Sequence, residues 1–121
     1  LTNTILVSHT TGITVAEGNT ATLDATLWGT GAWANDKDWG GAGTIIVGTH
    51  NHWGDPVFVN PFTGDYHIGL GSAAVDEGLE TSVTTDIDGQ PRLGAPDLGA
   101  DEYWAPSALK RVFLPLTLRS Y

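Results

Sequence analysis

Thr20-Ala21-Thr22-Leu23-Asp24-Ala25-Thr26-Leu27-Trp28 alternates polar and apolar side chains with a period of two over nine residues. That period marks a half-buried β-strand, because successive side chains along a strand point to opposite faces. Upstream lie two further apolar bursts, Thr4-Ile5-Leu6-Val7 and Gly12-Ile13-Thr14-Val15-Ala16. The second is separated from Thr20 by Glu17-Gly18-Asn19, a turn whose glycine tolerates positive φ. Downstream, strand character returns at Gly43-Thr44-Ile45-Ile46-Val47-Gly48 and at Pro56-Val57-Phe58-Val59. Between them, Trp28 to Gly43 is rich in Gly and Trp, holds Asn35-Asp36-Lys37-Asp38, and has no regular period. It reads as a surface loop projecting from the strands. Only Ala73 to Leu79 and Pro106 to Arg111 hold enough helical signal for a turn or two. Sixteen Gly and six Pro indicate many short strands and tight turns. An all-β fold is expected.

Groups of three short strands suit the rung of a parallel β-helix, where stacking satisfies the sheet edges of each rung. A β-sandwich would use the same strands with antiparallel pairing, and periodicity alone does not separate the two. The interval from Asn3-Thr4-Ile5 to Gly43-Thr44-Ile45 exceeds one ordinary rung, and the Trp-rich loop accounts for the excess.

Charge and composition narrow the partners. Fourteen acids against five bases give a formal net charge of −9, and an acidic surface repels phosphate backbones, so nucleic acid is not an expected partner. The absence of cysteine excludes disulfides and thiolate metal sites. No apolar run approaches the ~20 residues that span a bilayer as a helix. The chain has no Met and opens on Leu1-Thr2-Asn3-Thr4, already strand-like. The expectation is the C-terminal end of a larger extracellular or cell-surface protein.

The residues from Gly54 onward bring a resemblance. Gly54-Asp55-Pro56-Val57-Phe58-Val59-Asn60-Pro61, followed by Thr63-Gly64-Asp65-Tyr66-His67-Ile68, is similar to the last rung of bacterial right-handed parallel β-helix proteins of the choice-of-anchor type. Gly69-Leu70-Gly71-Ser72-Ala73-Ala74-Val75-Asp76-Glu77-Gly78 resembles the step that follows there, with Ala74 standing where that family has Pro. Asp86-Ile87-Asp88-Gly89-Gln90-Pro91-Arg92 and Asp97-Leu98-Gly99-Ala100-Asp101-Glu102-Tyr103 resemble its closing motifs, in the same order. The resemblance implies β-helix rungs over residues 1–75, an acidic, turn-rich cap over 76–104, and a basic, apolar tail over 105–121. It also implies that upstream rungs of the same parent are the chief partner.

In that light Arg92, the only base between Lys37 and Lys110, is expected to pin the cap. Its planar fork can grip a carboxylate bidentately, with Asp76, Asp86 or Asp97 as the expected partner and Glu102 as a further member of the pin. Asp86-x-Asp88-Gly89 begins like a calcium loop, and Asp97 or Asp101 could complete a discontinuous site; the alternative is an Asp-Gly turn closed by Asx hydrogen bonds. His50-x-His52 places two imidazoles on one side of an extended segment with Asp55 nearby, a pattern a transition metal can use. Trp33, Trp39 and Trp53, with Asp36 and Asp38 beside them, offer a sugar-stacking ledge, unless the indoles pack on one another. No Ser-His-Asp signature, phosphate-cradling Gly loop or distinctive carboxylate pair is present, so no catalytic residue is assigned. The expected role is a non-catalytic, structural end of a secreted β-helix, with calcium as a candidate ligand. The alternative is a carbohydrate-binding surface within a polysaccharide-active parent.

Overall fold

A computed structural model describes residues 1–104; the expected basic, apolar tail at 105–121 lies outside the described residues. The described chain is all-β: β1 (Thr4–Leu6), β2 (Thr11–Thr14), β3 (Thr20–Leu23), β4 (Thr26–Gly29), β5 (Lys37–Gly40), β6 (Thr44–Val47), β7 (His52–Gly54), β8 (Phe58–Asn60) and β9 (Asp65–Ile68). Its only helical turns are 3-10 turns at Gly31–Trp33 and Pro61–Thr63. No helix among the described residues is long and apolar enough to cross a membrane.

The first seven strands pair in parallel, in small sheets ordered β1-β4-β7, β2-β5 and β3-β6. Thr4 pairs with Thr26, Ile13 with Trp39 and Leu23 with Val47, so partners lie 22, 26 and 24 residues apart. Leu27 pairs with His52 at a spacing of 25. Among the described residues, the antiparallel pairing a β-sandwich would need is confined to the β8–β9 hairpin and an isolated Thr85–Pro91 bridge.

Two expectations change. The alternating stretch Thr20 to Trp28 is two strands, not one, broken at Asp24-Ala25. Ala25 takes φ +47°, and Asp24 Oδ1 accepts the Ala25 N–H at 3.0 Å, closing the bend with its own side chain. The stretch Trp28 to Gly43, expected as a loop, contains the end of β4, a 3-10 turn and all of β5. The β5 sequence Lys37-Asp38-Trp39-Gly40 shows no apolar alternation, because Trp39 alone carries its apolar contact.

Asparagines secure the corners. Asn35 Nδ2 donates to the Leu6 carbonyl and Asp38 Oδ1 while its oxygen accepts the His9 N–H. Asn51 donates to the Leu23 and Gly48 carbonyls and accepts from Thr26 N–H and Trp28 Nε1. Each amide thereby supplies backbone groups at a bend with partners that no strand neighbour provides.

The central strand of the β1-β4-β7 sheet, β4, is buried along its whole length. Leu6, Trp28 and Trp53 share one face by register, and there the Trp28 ring meets Trp39 of β5 edge-to-face at 5.3 Å. Ile5 and Leu27 share the other. Against them pack Ile68, Ala74 and Leu98, forming the apolar core with Ala25. The chain after β7 therefore lies across the flank of this sheet: Leu98 N–H bonds the Ala74 carbonyl, and Gly99 N–H bonds the Asn3 carbonyl. Asn3 completes the attachment by exchanging side-chain hydrogen bonds with the backbone of Leu79.

Gly41 combines a close backbone approach with a positive φ. Its φ is +101°, and a Cβ there would sit 2.2 Å from the Val15 carbonyl oxygen. Gly41→Ala should cost roughly 2–4 kcal/mol from the added backbone strain and overpacking. Gly18→Ala, at φ +84° with open space around it, should cost only about 1 kcal/mol. Denaturant midpoints of the two variants give the comparison.

Candidate functional site

Among the described residues, the segment after β9 contains only an isolated bridge as strand structure, and its buried positions include Ser72, Ala74, Asp86, Asp97, Leu98, Asp101 and Glu102. Its backbone N–H groups need acceptors that a sheet would otherwise provide. Carboxylates provide them. Asp86 accepts from Asp88 and Gln90 N–H through Oδ1 and from Glu102 N–H through Oδ2, all at 2.9 Å. Asp97 accepts from Asp76 N–H at 2.7 Å and Tyr103 N–H at 2.6 Å. Glu102 accepts from Asp97 N–H at 3.0 Å and Leu93 N–H at 3.2 Å. Asp101 accepts the Ile68 N–H at 3.0 Å, tying this segment to β9.

Arg92 sits in the middle of this network. Its Nη1 donates to Glu102 Oε1 at 3.2 Å and to the Asp97 carbonyl at 3.4 Å, and its Nη2 donates to the Gly99 carbonyl at 3.0 Å. The carboxylate partner is Glu102, not the side chain of Asp76, Asp86 or Asp97. Asp76 takes part through its backbone N–H on Asp97. The Glu102 side chain is 3% exposed and that of Arg92 13%, so this ion pair is largely withdrawn from water.

Burial and hydrogen bonding set the acidities. At Asp97 burial dominates and pushes the carboxyl above its usual range, against the pull of the Asp76 and Tyr103 N–H groups. Asp101 is likewise raised by burial. At Asp86 burial is again the largest influence, but its backbone N–H bonds together outweigh it and leave the carboxyl below its ordinary value.

A second cluster surrounds His67. Asp65 and His67 lie two apart on β9 and therefore on the same face. Asp65 Oδ1 meets His67 Nδ1 at 2.6 Å, and Asp88 Oδ2 meets Nε2 at 2.7 Å. A carboxylate at each ring nitrogen favours the doubly protonated ring. Hydrogen bonds to Asp65 first, then Asp88, raise its pKa to about 9.

The expected calcium residues do not converge. Asp86 is taken up by backbone N–H groups, Asp88 faces His67, and Asp97 lies with Asp76 and Glu102. Asp86-x-Asp88-Gly89 is an Asx-closed turn, with Gly89 at φ +78°. His50 and His52 also separate: His50 binds Asp24 at 3.1 Å and His52 approaches Glu77 at 3.6 Å.

The tryptophans have different roles. Trp39 packs on the fully buried Trp28. Trp33 packs edge-to-face on Phe58, which packs in turn on Tyr66, at 5.2 and 5.1 Å. Trp53 is 50% exposed, and its Nε1 donates to Asp38 Oδ2 at 2.9 Å. Phe58 and Tyr66, which no sequence pattern singled out, line a cavity of about 550 Å³ with Asn3, Thr4 and Ile5. Comparison of the chain with protein-family models, curated proteins and solved structures gives no match.

Proposed function

We propose that this chain is the non-catalytic, structural end of a right-handed parallel β-helix, of the bacterial extracellular, choice-of-anchor type that its closing motifs resemble. One observation carries the reading. Strands that follow one another in sequence pair in turn with strands 22 to 26 residues later, always in parallel. Stacked three-strand rungs have that pattern, whereas a sandwich of hairpins does not. On this reading the free edges of β1, β2 and β3 take the preceding rung of the parent protein, and residues 72–104 act as a clasp along the flank. The clasp covers Ile5 and Leu27, an apolar surface that would otherwise invite association.

The clasp is testable through Leu98, which is fully buried on that surface. Leu98→Asp should release the segment, bind an apolar dye and convert a monomer into larger species in light scattering. A monomeric variant with unchanged dye binding would count against the clasp.

A carbohydrate-binding surface is the second reading, favoured by the Trp33–Phe58–Tyr66 row and the half-exposed Trp53 beside Asp38. Indole and phenol rings stack on sugar faces while their polar tips stay hydrogen-bonded. Titration with neutral and acidic oligosaccharides, followed by Trp fluorescence, separates the readings: no change across the panel favours the structural role alone.

A further inference from the structure

We propose that His67, Asp88 and Asp101 form a binding site for a divalent transition metal of the zinc class, with Asp65 as the residue that orients the histidine. The ligand atoms of the three residues lie within 4.8 Å of one another. They come from separate parts of the chain: His67 from β9, Asp88 from the Asx turn, and Asp101 from the segment that bonds back to Ile68. They line a cavity of about 240 Å³ to which Gln90 and Trp104 also contribute.

Four observations point to a cation there. First, the donor set is mixed. One imidazole nitrogen with two carboxylates suits zinc and its first-row neighbours, whereas calcium takes oxygen ligands only. Second, Asp65 holds Nδ1 at 2.6 Å and leaves Nε2 directed at Asp88. A carboxylate behind a histidine in this way fixes the ring and raises its basicity toward a metal on the other nitrogen. Third, Asp101 is 93% buried and accepts the Ile68 N–H, and its carboxyl lies against that of Asp86, so two acids share this spot. Fourth, Trp104 lines the same cavity, and its buried Nε1–H has no acceptor among the described residues. A water or anion completing the metal's coordination would supply one.

The neighbouring Asp76–Asp97–Glu102 group differs in the feature that matters. Arg92 already supplies its positive charge through Glu102. Among the described residues no lysine or arginine lines the His67 cavity, so the positive charge there is that of the His67 ring, whose Nε2 proton a metal would displace.

The test is calorimetric titration of the full, EDTA-treated chain with Zn²⁺ and separately with Ca²⁺, at about pH 8, where protons compete less for the ligands. The site predicts one Zn²⁺ per chain and no competition from Ca²⁺. Asp65→Ala should weaken Zn²⁺ about 10–100-fold, and His67→Ala and Asp101→Asn should weaken it by at least that factor. His50→Ala and His52→Ala should leave it unchanged. Should His67→Ala fail to fold, ring nitrogen resonances of the unmodified chain decide, since Zn²⁺ must shift His67 and spare His50 and His52. No Zn²⁺ binding, binding that survives His67→Ala, or shifts confined to His50 and His52 would overturn the proposal.

Discussion

Arg92→Ala should lower folding stability by about 3–5 kcal/mol, the penalty for leaving one member of a buried ion pair without its partner. The loss has an identifiable origin. Glu102, 3% exposed, would keep its two backbone N–H donors but lose the guanidinium. The Gly99 carbonyl would lose its Arg92 donor, and so would the Asp97 carbonyl. For a domain of this size each kcal/mol shifts the melting temperature by several degrees, so the shift should exceed about 10 °C. Arg92→Lys tests the geometry separately. It keeps the charge but lacks the planar fork that reaches Glu102 and Gly99 together, and should fall between the parent and the alanine variant. An Arg92→Ala protein within about 0.5 kcal/mol of the parent would behave like an ordinary surface substitution and would remove Arg92 from the account of the clasp.

Trp28→Ala should cost a comparable 3–5 kcal/mol, from lost burial plus the cavity left behind. Trp28 is fully buried, stacks edge-on against Trp39, and donates its Nε1–H to the Asn51 carboxamide that also accepts the Thr26 N–H. Trp53, its register partner on β7, is half exposed. Trp53→Ala should cost less than about 1.5 kcal/mol, since half the burial term is absent. Denaturant unfolding of the pair checks the contrast, and equal losses would contradict the placement of these two indoles.

The sequence revealed the all-β class because strand alternation is a local signal, and Thr20 to Trp28 carries it strongly. It did not reveal the break within that run. Asp24 and Ala25 fit the alternation as well as their neighbours do, and only the Asp24 side-chain bond and the positive φ of Ala25 show the corner. Strand β5 was hidden for a different reason: Lys37-Asp38-Trp39-Gly40 earns its place by pairing with β2, a non-local contact that composition does not register.

The site was legible to a similar depth. A lone arginine among acids announced an ion pair, but the partner depended on how an irregular segment folds. Spacing gave no reason to prefer Glu102 over Asp97. His67 and Asp65 stand two apart on a strand and can be paired from sequence. Asp88 and Asp101 reach the same imidazole only through the Asx turn and the Asp101–Ile68 bond. The indole-rich stretch suggested one ledge, and the structure distributes its members between an interior contact, an aromatic row and a half-exposed position.

The parallel register is the claim on which the β-helix reading depends, and cross-strand nuclear Overhauser contacts in the labelled protein measure it directly. Parallel neighbours place an amide proton of one strand near an α-proton of the next, while antiparallel neighbours bring α-protons face to face. The account predicts amide-to-α contacts linking β1 to β4 around Thr4 and Thr26, β4 to β7 around Leu27 and His52, and β3 to β6 around Leu23 and Val47. Short α-to-α contacts between any of these strands would show antiparallel pairing and contradict it.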